Sequence, residues 1–124
     1  EFRRVLFRSG QANTAEIIAK STGPGGARSA AAYTNNGYSD WFLGSGYEIR
    51  ALCMYARGII TTKNPAVDNC NTGTLTGTWS NEYITSSTRG YDGYMWRIVF
   101  TGYGVDFNYM NGAVRPIRMF SPGS

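Results

Sequence analysis

Apolar and polar positions alternate most regularly in the last third of the chain. In Met95-Trp-Arg-Ile-Val-Phe100, the residues Trp96, Ile98 and Phe100 fall on one face, as a half-buried strand requires. After Gly102-Tyr-Gly104 the alternation resumes at Val105, Phe107 and Tyr109, which predicts a hairpin. Val114, Ile117, Met119 and Phe120 make a last short apolar strand. Pro116 cannot donate to a ladder, so that strand belongs at an edge or a bulge.

Upstream the period changes from two to 3.6. Ile49, Leu52, Cys53 and Ala56 recur at i, i+3, i+4 and i+7, one apolar face of a helix. Ser45-Gly-Tyr-Glu48 opens that helix as a capping box, and Gly58 suits its C-terminal end. Asn13-Thr-Ala-Glu16 has the same start signal, with Ile17, Ile18 and Ala19 following and Gly23-Pro-Gly-Gly26 as the stop. Ala27 to Tyr33 is Ala-rich and suits a further helical turn. Asn35-Asn-Gly37 reads as a turn, since Asn and Gly accept positive φ. Trp41-Phe-Leu43 then reads as a short buried strand. Residues 61–78 are rich in Thr, Asn and Gly, the composition of a surface loop. Two short helices followed by a twisted antiparallel β meander make an α+β domain.

Composition narrows the class. The 124 residues suit one domain, and with 42% hydrophobic residues and 15% aromatics a packed core is feasible. Glu1 to Ser9 reads like the translation of a sequencing-adapter oligonucleotide. Residues 1–10 are therefore set apart as artefact or linker, 11–121 as the domain and 122–124 as a tail. Leaving out Glu1, Arg3, Arg4 and Arg8 lowers the balance from 12 cations and 8 anions to 9 and 7, so the net charge falls from +4 to +2. The remaining cations are scattered, which argues against nucleic acid as a partner. No stretch approaches the ~20 apolar residues of a membrane span. Cys53 and Cys70, the two cysteines, suit one disulfide pinning the 61–78 loop to the second helix, worth ~3 kcal/mol. The alternative is two free thiols. A bridge favours an exported protein. With no histidine in the chain, neither zinc nor any other cofactor is expected.

Nine of the eighteen aromatics lie between Trp79 and Arg118, interleaved with Gly, Asn, Asp, Ser and Thr. Tyr and Trp give large contact area at low entropic cost, while small polar residues adapt their hydrogen bonds, a composition suited to binding. Trp41, Trp79, Trp96 and Phe100 read as frame, and Arg115 and Arg118 as partners in salt bridges to Glu82 or Asp40. Tyr91, Asp92, Tyr94, Arg97, Tyr103, Asp106, Asn108, Tyr109 and Asn111 read as ligand contacts around the Gly turns. Catalysis has weaker support. Ser or Cys nucleophiles lack a His partner, which leaves a hydrolase built on Asp40, Glu48 and Glu82 as the enzymatic alternative. A purely structural domain, such as a spacer or trimerisation head, is the third reading.

Five blocks resemble a bacterial and phage family of C-type-lectin-like domains that includes the C-terminal domain of collagen-like adhesins (the Lcl type). Asn36-Gly-Tyr-Ser-Asp-Trp-Phe-Leu43 is similar to the family's N-G-Y-S-D-W-F-L-P. Ser45-x-x-Glu48 with Leu52 is similar to S-K-D-E-L, and Trp79-Ser-Asn-Glu-Tyr83 to W-S-S-S-E-Y with one residue fewer. Trp96-x-x-x-Phe100 and Val114 to Phe120 are similar to W-x-x-x-F and V-R-P-V-R-A-F. Gly44 stands where the family usually has Pro, and Gly46-Tyr47 replace its Lys-Asp. The resemblance implies a C-type-lectin-like fold, adhesion to a protein or glycan ligand, and a cell-surface, extracellular or phage-virion setting. A homotrimer through upstream sequence is compatible with it. Some relatives are diversified by retroelements over a C-terminal stretch, and residues 91–111 have such a composition. The Glu-Pro-Asn and Trp-Asn-Asp motifs of calcium-dependent lectins are missing, so calcium is not implied.

Overall fold

A computed structural model describes residues 9–20, 25–59, 70–88, 95–101, 105–108 and 112–119. In chain order these hold α1 (Gly10–Lys20), α2 (Gly26–Ala32), β1 (Phe42–Leu43), α3 (Gly46–Ala56), β2 (Glu82–Thr88), β3 (Met95–Val99), β4 (Val105–Asn108) and β5 (Pro116–Ile117). The strands form two small antiparallel sheets, one of β1 and β5 and one in the order β2-β3-β4. The α+β class and the meander agree with the expectation. Three helices rather than two precede β2 among the described residues.

The predicted start of the first helix is four residues late. Asn13 lies inside α1 and is buried. Ser9 caps the helix instead: its Oγ accepts from the Gln11 amide at 3.2 Å and its carbonyl accepts from Asn13 at 3.0 Å. Tertiary contact fixes this boundary. The Gly10 amide donates to Glu48 Oε1 at 2.9 Å, and a Cβ at Gly10 would lie 2.6 Å from the Ser45 nitrogen and 2.7 Å from the Leu43 carbonyl. The packed domain therefore takes in Ser9 and Gly10. Glu16, expected in a capping box, pairs with Lys20 one turn on.

At α3 the local signals suffice. Ser45 and Glu48 form the reciprocal capping box. At the other end Ile59 donates to Met54 at 2.9 Å and Gly58, at φ +74°, to Tyr55 at 3.0 Å, the paired bonds of a Schellman motif. Asn36 at φ +52° and Gly37 at φ +82° make the tight turn in which Asn35 and Tyr38 exchange backbone hydrogen bonds.

Two apolar clusters lie on either side of β2. Tyr83 joins Ile49, Cys53, Met54, Cys70, Ile98 and Phe100, while Ile84 joins Leu43, Ala27 and Ala30. Successive residues of a strand face opposite ways, so β2 supplies both clusters and is buried on both sides. Cys53 and Cys70, both inaccessible, are joined as a disulfide, which ties α3 to the segment leading into β2.

Strand β2 leaves β3 partway. Between Ile84↔Arg97 and Thr88↔Met95 it carries two more residues than its partner, a bulge. Within that bulge the Ser86 amide donates to the Gly44 carbonyl at 2.8 Å, which joins the two sheets. The last strand is shorter than its apolar pattern suggests. Only Pro116 and Ile117 pair with β1, and Met119 is exposed because nothing continues the two-residue ladder to cover it. Pro116 stands in a two-stranded sheet, where its missing N–H costs no ladder bond.

Candidate functional site

Three residues of the expected display surface lie in the described strands β3 and β4. Arg97 lies in β3, with Asp106 opposite it in β4 and Asn108 opposite Met95. Tyr91, Asp92, Tyr94, Tyr103, Tyr109 and Asn111 lie outside the described residues. β4 is the outer strand of its sheet, since β3 separates it from β2 and β2 is joined to Gly44 on its other side. Arg97 differs from its expected role in one respect. Its guanidinium forms an ion pair with Glu82 on the neighbouring strand, and the side chain is largely shielded.

Of the expected frame residues, Trp79 packs against Phe100, which is inaccessible, and Tyr83 joins them. Trp79 lies 5.1 Å from the Phe100 ring and Tyr83 4.9 Å, the latter edge-on. The Trp79 indole donates to the Thr76 carbonyl at 2.6 Å, and the Tyr83 hydroxyl accepts from the Ser80 amide at 2.8 Å. Each amphipathic ring thus has its polar end satisfied. Trp41 falls outside β1 and is half-buried; its ring meets Tyr33 edge-on at 5.0 Å.

The two arginines beside Pro116 separate in role. Arg118 holds Asp40 through two parallel hydrogen bonds of 2.8 and 3.1 Å, as predicted. Arg115 does not reach Glu82, because Arg97 occupies that carboxylate. It lies over the Trp79 ring instead, 4.5 Å from the centroid. The hydrogen bond from Arg118 holds the Asp40 carboxyl below the usual aspartate range and raises the Arg118 guanidinium.

Asp40, Glu48 and Glu82 each have a different structural partner. Asp40 binds Arg118, Glu48 accepts from the Ser45 and Gly10 amides, and Glu82 binds Arg97. An acid catalyst at neutral pH needs a raised carboxyl pKa, and Asp40 shifts the other way. Among the described residues no group of His, Cys, Asp and Glu is placed to hold a metal ion, and no helix is long and apolar enough to cross a membrane.

Sequence reasoning overlooked Arg57. Its guanidinium donates to Phe100 O at 2.5 and 3.2 Å and to Thr72 O and Gly73 O at 3.3 Å, locking the end of α3 to the segments on both sides of β2 and β3. A cation just past the end of a helix is its only sequence signal. Comparison of the chain with known protein families, curated proteins and solved structures finds no match.

Proposed function

We propose that the chain is a ligand-binding module on a C-type-lectin-like scaffold, part of an exported, cell-surface or phage-tail protein. Its contact surface is the outer strand β4 with residues 91–94, 102–104 and 109–111. The observation that carries this reading is the division of the aromatic stretch. Tyr83, Ile98 and Phe100 are sequestered in the core, while Asp106 and Asn108 lie in the outer strand β4 and the Tyr candidates neighbour β3 and β4 in sequence. Composition there favours adaptable contact rather than packing.

Contacts between the family-like blocks support the scaffold. Asp40 and Phe42 of the first block meet Arg118 and Ile117 of the last. Trp79 and Tyr83 meet Phe100. Ser45 and Glu48 close their box locally. A buried disulfide is the chemistry of oxidising compartments and supports export.

The test is a screen of the protein against glycan and cell-surface-protein arrays, repeated with Tyr91, Tyr94, Tyr103 and Tyr109 all changed to Ala. Binding disappears in the variant while the melting temperature stays within a few degrees, about the shift from 1 kcal/mol or less. Unfolding of the variant would make these tyrosines core residues and end the proposal.

A further inference from the structure

The meander is not the only place where aromatic rings gather. Among the described residues Tyr33, Tyr38, Tyr55 and Met119 are the large apolar side chains left exposed. Three of these four lie at one junction, where the Asn36-Gly37 turn meets the end of β5. Clustered exposure of this kind marks an interaction site more often than single exposed residues do.

The rings at this junction are held in place. The Asn35 side-chain amide donates to the Tyr33 hydroxyl at 2.9 Å. The Trp41 indole donates to the Tyr38 carbonyl at 3.0 Å, and its ring supports Tyr33 edge-on. Arg118 lies 3.7 Å from the Tyr38 centroid while both arms of its fork hold Asp40. A latch between β5 and the segment before β1 explains Arg118 and Asp40. It does not explain why Tyr33 is fixed at the surface, or why Tyr38 stays 48% exposed and the Asp40 side chain 52%.

The geometry points to a second binding site at this junction, for an uncharged pyranose ring of a glycan. A pyranose presents a flat C–H face beside adjacent hydroxyls. Tyr33 and Tyr38 supply ring surface for the face, and the half-exposed Asp40 carboxylate has lone pairs left to accept hydroxyl protons. Asp40 and Arg118 neutralise one another, so the site has no net charge to attract a sulfated or phosphorylated sugar. Because the rings are already fixed, ordering costs little on binding. The site is made of residues outside β4 and does not depend on the function proposed for that strand.

The probes are cellotetraose, maltotetraose and chitotetraose, titrated singly into the isotope-labelled protein and followed by the amide and indole signals of residues 33–41. At least one gives saturable shifts there, with Kd on the order of 1 mM. Tyr38→Ala and Tyr33→Ala each weaken it about tenfold, the loss of roughly one stacking contact. Tyr38→Phe, which keeps the ring, and Tyr55→Ala, remote from the junction, leave it unchanged. The four-Tyr variant of the β4 region also retains it, which separates the two sites. Absence of saturable shifts with all three sugars overturns the proposal, as does binding that survives both alanine substitutions in variants whose spectra remain native.

Discussion

Glu48 shows how much one side chain fixes. A single oxygen accepts from the amide that opens α3 and from the amide of Gly10 at the start of α1. Glu48→Ala removes both bonds and is expected to cost about 2 kcal/mol in urea denaturation, against about 1 kcal/mol for Ser45→Ala. Equal losses would mean that the tie to Gly10 contributes nothing. Gly10→Ala introduces a methyl against two backbone atoms and should cost about 1–3 kcal/mol. The Asp40–Arg118 pair has a definite pH signature. Its aspartate is lowered in the folded state, so its contribution is complete above the unfolded value of about 3.9 and fades as pH falls through the folded value below that. The stability gap between wild type and Asp40→Asn should therefore stay constant from about pH 8 to pH 5 and close only below about pH 4. A gap that closes near neutrality would contradict the assignment. The Arg118 partnership was legible from residue types, but the partners of Arg115 and Glu82 were not, because strand register decided them.

Elements differ in how much of their structure is local. Helix α3 was legible from end to end, since its capping box, apolar face and Gly58 signal each depend on residues within the helix or beside it. Helix α1 misled because Asn13 and Glu16 imitate a start, while the real start depends on Glu48, 38 residues away. The sequence of β2, Glu-Tyr-Ile-Thr-Ser-Ser-Thr, does not stand out as a strand because Ser and Thr usually mark loops. Here the hydroxyls of two of them are buried and used: Thr85 donates to the Trp96 carbonyl at 2.9 Å and Ser87 accepts from the Gly46 amide at 2.9 Å. Small side chains let α3 and β1 approach this closely. Thr85→Val should cost about 1 kcal/mol or more in denaturant titration, because it leaves the Trp96 carbonyl without this donor. The disulfide spans 17 residues. A Cys53→Ser, Cys70→Ser double variant should lose about 3 kcal/mol, read from the same titration.

At the scale of the molecule, the first and last described elements, α1 and β5, meet at one strand. Gly10 packs against the Leu43 carbonyl, and Leu43 pairs with Pro116. Among the described residues β4 lies at the outer edge of the other sheet. The class of fold and the meander were legible because their alternation is regular. The β1–β5 pairing was not, since two-residue strands carry no period and the latch beside them spans 78 positions. The division between frame and display is tested most directly by two libraries, assayed for protease resistance and melting. One randomises Tyr91, Asp92, Tyr94, Tyr103, Asp106, Asn108, Tyr109 and Asn111; the other randomises Tyr83, Ile84, Ile98 and Phe100. Most members of the first are expected to melt within about 5 °C of wild type and to yield binders against an arbitrary soluble protein, while most of the second unfold. Unfolding of the first library as often as the second would contradict the division.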